Sequence, residues 1–482
     1  MGPEIDVSAS SRQPPSSGKR RPTAPTLAMY CTLATSWLGC VCVGAAMGYA
    51  PSALRTLMVT PPAESNTTRP TVSAEGGIWF TSMLPLGAVV GSLCAGSLCQ
   101  WVGRRDAMTG CAIAFLVSWL WLHSADSTAN LCLAHLVVGF SVGLVSLCAS
   151  AHMVEVAAPY NRGLLGGGLF VAVTAGALYS HCLGLLLDWS WLAVGCAIPA
   201  LLFGAVALFA VESPRWLLLQ ARRESAMQAL TRIGIDGARV DREVRHIEEA
   251  FTCVPPTAVN VLLVYHVMFV QQFSGIGGVT PNIGIVAQAA GLTLSQPAFT
   301  VLLSSLQLVM AAFSAAVMDV VGRHRLFLAS AAASICSLFA VGTVNSWSRG
   351  KEPHPVALAT QLALLVAYAS GYSIGLGPVT WLLAAELIPL QGTGLLLSMA
   401  FSFNWLSLFA VMLFLHGVRE TLSFSGCGFF FSAVTLAGTS LVYWLVPETS
   451  GRSLEQILMD VTAEGEGYRS LISRQNSLLM KE

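Results

Sequence analysis

The chain has 482 residues, 54% of them hydrophobic and only 10% charged, with 25 basic and 25 acidic side chains. A soluble domain carries roughly 25% charged residues, so the composition excludes a soluble enzyme and predicts an all-α membrane protein. The formal net charge is zero and no basic tract suits a nucleic acid, so that partner is excluded as well.

In chain order, residues 1–28 are rich in Ser, Pro, Lys and Arg and predict a disordered flank, with no apolar run and cleavage site that would mark a signal peptide. Apolar stretches long enough to span a bilayer, about 18 residues or more, follow at 29–49, 77–98, 106–122, 130–152, 164–187 and 189–211. The polar segment 212–256 contains "RRESAMQALTRIG" and "REVRHIEEAF", which read as short amphipathic helices. Six more apolar stretches lie at 258–290, 297–318, 325–345, 357–384, 394–416 and 426–446. The expected domains are therefore six-helix bundles over 29–211 and 257–447, a helical linker over 212–256, and a polar tail over 448–482. The 13 cysteines lie mostly in apolar spans without metal-type spacing and read as small hydrophobes.

Twelve spans put both ends on one side. The termini, the linker and every second loop hold 20 of the 25 Lys and Arg residues, and the other loops hold only Arg55, Arg69, Arg349, Lys351 and Arg419. The positive-inside rule then predicts cytoplasmic termini. Asn66, in an Asn-Thr-Thr triplet, falls in the first outer loop as a glycosylation acceptor.

The halves echo one another. "CQWVGRRDA" after span two returns as "MDVVGRHRL" after span eight, and "EVAAPYNRG" after span four as "ELIPLQGTG" after span ten. "VESPRW" closes span six and "VPETSGRSLEQI" closes span twelve. A duplicated six-span unit is the plan of transporters that alternate access around a midplane site. Arg104, Arg162, Arg215 and Arg323 can meet Glu155, Glu212, Asp319 or Glu386 across neighbouring helix ends, a latch that closes one side and must break to open it. Glu448 and Arg452 occupy the matching places in the last echo.

"VESPRW" at 211–216, "PETSGRSLEQI" at 447–457, "QQFSGI" at 271–276, "GLGPVTW" at 375–381 and "GRR" at 103–105 together resemble the sugar porter family of the major facilitator superfamily. The resemblance runs from about residue 29 to 457 and looks closest to the facilitative hexose and arthropod trehalose transporters. It implies the major facilitator fold and a neutral sugar as substrate, with no cofactor and no metal. By the same resemblance Gln271, Gln272, Gln307, Trp381, Asn404 and Trp405 contact the sugar, and Asn282 stands near the position of a further amide. The chemistry fits, because a carboxamide donates and accepts as a hydroxyl does and an aromatic face suits the C–H face of a pyranose.

The chain also departs from the family pattern. Phe170 stands where the family has a span-five glutamine, Gly277 where an Asn follows "QQxSGI", and Gln100 where a carboxylate opens the first motif. His135 replaces an Arg, His152 a Tyr, and Thr393 an Arg seven residues after Glu386. Two missing hydrogen-bonding groups predict hexose binding weaker by about 2–3 kcal/mol, roughly thirtyfold. The span interiors that would hold a proton-coupling carboxylate contain none, which predicts an uncoupled facilitator; His135, His181 and His266 lie within spans and could titrate, against the favoured reading that they are neutral and bonded to neighbouring helices. The missing latch residues leave two other readings: a sugar receptor that binds without cycling, and a facilitator of another small polar solute. The expected setting is a multi-pass protein of the plasma membrane in contact with lipid.

Overall fold

A computed structural model describes residues 26–58, 70–158, 160–235, 237–253, 258–280, 283–348, 354–388, 393–418, 423–452 and 456–457. Asn66, Asn282, the expected N-terminal flank up to residue 25 and the tail beyond residue 457 lie outside the described residues. The first half contains α1 (Leu27–Leu57), α2 (Ala74–Val102), α3 (Arg104–His123), α4 (Thr128–Val156), α5 (Arg162–Leu183) and α6 (Trp189–Ala207). The linker contributes α7 (Pro214–Leu219), α8 (Arg223–Arg232) and α9 (Ala238–Cys253). The second half contains α10 (Ala258–Phe273), α11 (Ile276–Val279), α12 (Ile283–Ala289), α13 (Gln296–Val321), α14 (Arg323–Ser348), α15 (Pro355–Ile374), α16 (Leu376–Leu387), α17 (Thr393–Val418) and α18 (Ser423–Leu445). Among the described residues twelve helical spans are long and apolar enough to cross a bilayer, and no strand is present.

The helices start where the sequence supplies a cap. Thr26, Ser73, Ser127, Asp188, Ser213 and Ser295 each accept a hydrogen bond from the backbone N–H three residues on, which is worth about 1 kcal/mol per helix. Several helices outrun the apolar stretches that predict them. α1 continues through Pro51 to Leu57 because its polar end is bonded within its own half: Ser52 Oγ lies 3.1 Å from His181 Nδ1, and Arg55 donates to the Gly184 carbonyl.

The same packing scheme appears twice. In the first half α2 lies on α4, α1 on α5 and α3 on α6; in the second, α13 lies on α15, α10 on α17 and α14 on α18. The α2–α4 pair approaches backbone to backbone through two facing Gly-x-x-x-Gly motifs. A Cβ added at Gly87, Gly91, Gly139 or Gly143 would stand 2.0–2.1 Å from a carbonyl oxygen of the opposing helix. The halves meet mainly through α2 with α17 and through α5 with α13, pairs that exchange under the repeat. The linker helices bury a small core of their own, including Trp216, Leu230, Val244 and Ile247. They are tied to the end of α2 by Trp216 Nε1 and Gln220 Nε2, each donating to the Gln100 carbonyl at 3.1 Å.

Candidate functional site

Spans seven and ten are broken beside each other, and the breaks place the polar residues. α10 ends at Phe273, Gly275 takes φ +90°, and α11 restarts at Ile276. The left-handed turn requires glycine there, and a Cβ would also run into the Phe431 ring. Tyr368 Oη donates to the Ser274 carbonyl at 2.8 Å and holds the turn. In span ten the break falls between α15 and α16 at Gly375. Pro378 has no N–H to give to the Ile374 carbonyl, and Ser314 Oγ, from α13, donates to that oxygen instead. Ser330 Oγ accepts from Leu376 N at 2.9 Å and donates to the Gly371 carbonyl at 2.7 Å. Hydroxyls from neighbouring helices therefore satisfy the backbone groups that each break frees, as a membrane interior demands.

Gln271 and Gln272, in the last turn of α10, face this region and have different partners. Gln271 Nε2 donates to the carbonyls of Leu376 and Gly377 at 3.1 and 3.2 Å. Its Oε1 accepts from Asn404 Nδ2 at 2.8 Å. Asn404, fully buried on α17, in turn accepts at Oδ1 from Gln272 Nε2 at 3.0 Å. Gln271 is thus largely committed to the protein, a clamp between the two broken spans. Among the described residues Gln272 Oε1 receives no hydrogen bond and the half-buried Gln307 makes none. Those two amides retain capacity for a ligand.

α16 and α17 also build an aromatic wall. The Trp381 ring meets Phe401 and Trp405 edge to face at centroid distances of 5.7 and 6.3 Å. Trp381 is 9% exposed and Trp405 only 1%, so Trp405 backs the wall and Trp381 presents it. From the first half, Phe170 packs on Gly377, where a Cβ would stand 2.4 Å from its Cζ, and tilts against Tyr372 at 6.3 Å. Gly277 faces Leu408, whose Cδ1 would lie 2.2 Å from an added Cβ, so a larger residue there requires the Leu408 side chain to turn away.

The charged echoes sit at the terminus side, the face that carries Thr26, the linker and Glu448. Glu212 accepts from the N–H groups of Arg104 and Arg105 at 2.9 and 3.1 Å, and Glu448 from those of Arg323 and His324 at 2.9 and 3.2 Å. Each caps the positive end of a helix in its own half. The preceding Gly103 and Gly322 share φ near +97°, and a Cβ at either would lie 2.3 Å from the capping carboxylate. Burial pushes the Glu212 carboxyl above the ordinary range, partly offset by these N–H bonds. Arg104 pairs with Glu155 at 2.8 Å within the first half.

Across the halves, Asp319 accepts from Gly163 N and Leu164 N at 3.0 and 2.8 Å, and within its own half it pairs with Arg323 at 2.9 Å. Glu386 lies 3.8 Å from Arg162 and 3.9 Å from Arg323, and Arg162 Nη1 donates to the Arg452 carbonyl at 3.3 Å. Arg215 is buried in the linker core beside Trp216. The expected latch therefore divides into caps and pairs within one half (Glu212, Glu448, Arg104–Glu155, and Arg323 with Asp319 and Glu386) and contacts between halves (Asp319 with the start of α5, and Arg162 with Glu386 and the Arg452 carbonyl). The mirror position of Asp319 is Gln100, whose amide rests on Gly394 at the start of α17. Gly96 N also donates to Ser398 Oγ at 2.8 Å along the same line of contact.

The intramembrane histidines are bonded to neighbouring helices: His135 Nδ1 lies 2.8 Å from the Phe80 carbonyl and His266 Nε2 2.8 Å from that of Gly438, while His181 meets Ser52. His152 Nε2 lies 3.1 Å from the Val211 carbonyl. Sequence reasoning missed Ser314, Ser330, Tyr368 and Tyr372, whose hydroxyls are isolated in apolar spans and carry no motif.

The model for the family of sugar (and other) transporters matches residues 29–460. A facilitated trehalose transporter of Bombyx mori is 28% identical over 455 residues, 91% of this chain and 87% of that protein. The solute carrier family 2, facilitated glucose transporter member 6 of Mus musculus is 28% identical over 403 residues, 79% of this chain and 81% of that one. Among solved structures, the proton:xylose symporter XylE bound to 6-bromo-6-deoxy-D-glucose superposes with a TM-score of 0.78 at 20% identity, over 89% of this chain and 98% of that chain. That likeness concerns the fold.

Proposed function

The chain belongs to the sugar (and other) transporter family, and from that premise we propose that it moves a hexose or a trehalose-like disaccharide down its gradient by alternating access, without proton coupling. Facilitative sugar transport is the activity for which its relatives are named. The observation that carries the assignment of the site is the division between the paired glutamines. Gln271 clamps the broken spans through Leu376, Gly377 and Asn404, and leaves Gln272, bonded to Asn404, and Gln307 with amide capacity for hydroxyls. Phe170 covers the first-half side with an apolar surface.

The ion pair and helix-end contacts between halves lie at the terminus side, which supports a state with that side closed. α11 and α12, towards the other side, pack chiefly on α13, α15 and α17 of their own half. Rocking about the site breaks the Asp319 and Glu386 contacts and opens the terminus side. The further parts of the reading are cytoplasmic termini, a plasma-membrane setting, glycosylation at Asn66, and the 29–211, 212–256, 257–447 division into bundle, linker and bundle. Uptake of labelled glucose and trehalose into proteoliposomes, with and without a pH gradient, tests it. Uptake independent of the gradient and weakened by Gln272→Ala is expected; uptake that follows the gradient refutes the uncoupled mechanism.

A further inference from the structure

Near the terminus-side end of the α2–α4 pair, beyond the facing glycines, Cys99 Sγ and Cys148 Sγ stand 2.8 Å apart, both free and both buried. We propose that these two thiols are a redox modification site, which a hydroperoxide closes to a disulfide, and that the contact between the two halves guards it.

Three observations carry this. First, a disulfide needs an S–S distance of about 2.05 Å, so the pair closes with less than about 1 Å of movement. The helices are held at that spacing independently of the thiols, by Gly87, Gly91, Gly139 and Gly143 and by Ser92 Oγ donating to the Gly143 carbonyl at 3.2 Å. Second, Arg104 Nη1 donates to the Cys99 carbonyl at 3.2 Å, which fixes the backbone that carries the first thiol. Third, Cys99 lies between Gly96 and Gln100, the two α2 residues that rest on Gly394 of the other half. Opening the terminus side uncovers this stretch of α2.

The chemistry balances as two thiols and one hydroperoxide giving one disulfide, one alcohol and one water. The Cys99 thiolate attacks the outer peroxide oxygen, the O–O bond breaks, and the alkoxide leaves and takes a proton. The Cys148 sulfur then attacks the resulting sulfenic sulfur and displaces hydroxide, which leaves as water. The pair itself is independent of the transport reading; only the guard rests on alternating access.

The test uses the full chain in proteoliposomes exposed to tert-butyl hydroperoxide, with quenched samples digested without reduction and read by mass spectrometry. A Cys99–Cys148 cross-linked peptide is expected, absent in Cys148→Ser, and formed severalfold faster in Asp319→Asn, which loosens the contact between halves. Should Asp319→Asn fail to fold, Gln100→Asp, which tightens that contact, should slow the cross-link instead. Recovery of Cys99 and Cys148 as separate peptides, under exposure that oxidises the exposed Cys94, overturns the site. A cross-link that forms at one rate in wild type and variants overturns the guard. Sugar uptake in the same vesicles reads the transport proposal separately.

Discussion

Replacing Gln100 with Asp tests how the terminus side is held shut. Asp319 reaches across the halves and accepts two N–H groups at the start of α5, at 3.0 and 2.8 Å. Gln100 occupies the mirror place at the start of α17, against Gly394, without a charge. A carboxylate at a helix N-terminus gains about 0.3–1 kcal/mol where exposed and up to about 2 kcal/mol where partly buried. Gln100 is exposed, whereas the Asp319 side chain is 21% exposed, so the lower range applies to the new charge. Because the contact exists only with the terminus side closed, Gln100→Asp should shift the equilibrium towards that state by roughly twofold to fivefold. Spin-label distances between the terminus-side ends of α2 and α17 read the population directly, and uptake should slow where opening of that side limits the cycle. An unchanged distance distribution, in a variant of unchanged thermal stability, refutes the argument that a helix-end charge sets this equilibrium.

The paired glutamines should separate by phenotype. Gln272→Ala should raise KM for sugar roughly threefold to tenfold, the loss of one net hydrogen bond, and, because it removes one protein bond, to Asn404 Oδ1, where Gln271→Ala removes three, should lower the melting temperature less than Gln271→Ala. Gln271→Ala leaves the Gly377 carbonyl and Asn404 Nδ2 short of partners and should cost about 1–3 kcal/mol of stability, visible in thermal unfolding. Phe170→Gln offers a first-half hydrogen-bonding group where an aromatic ring now lies. Competition by a panel of monodeoxy glucoses should then show one hydroxyl position at which the variant discriminates severalfold and wild type does not. For pH, burial raises the Glu212 carboxyl above its ordinary value, so its contribution is fully present below the unfolded value and declines as pH rises through the raised one. Glu212→Gln should flatten that part of a melting-temperature profile taken from pH 4 upward.

The architecture was legible because hydropathy alone separates twelve spans, and because the echoes at Gly103/Gly322 and Glu212/Glu448 preserve a shared backbone shape and its capping carboxylate. What the carboxylates bind was not legible. Glu212 looks available to any nearby Arg, and only the fold shows that it is spent on helix N–H groups. The break at Gly375 was hidden in a run that stays apolar on both sides, so composition cannot distinguish it from a continuous span. Adjacent Gln271 and Gln272 are identical as sequence, yet they point about 100° apart on the helix, one into protein backbone and the other towards unfilled capacity. Gln100 and Phe170 could be singled out from the chain alone; their contacts with Gly394 and Gly377 required three dimensions.

The backbone contact between α2 and α4 also bears on how the protein is made. Its four glycines lie between residues 87 and 143, so both helices are complete while the second half is still being synthesised. Domains fold as units as they emerge, the N-terminal one first, and this pair can settle in the bilayer with no partner from the second half. Spans seven and ten, whose breaks rely on hydroxyls donated by other helices, have no such independence. The first bundle is then a finished surface on which the second is assembled. A glycine substitution in it should therefore lower the yield of the whole protein even where the mature transporter would tolerate it.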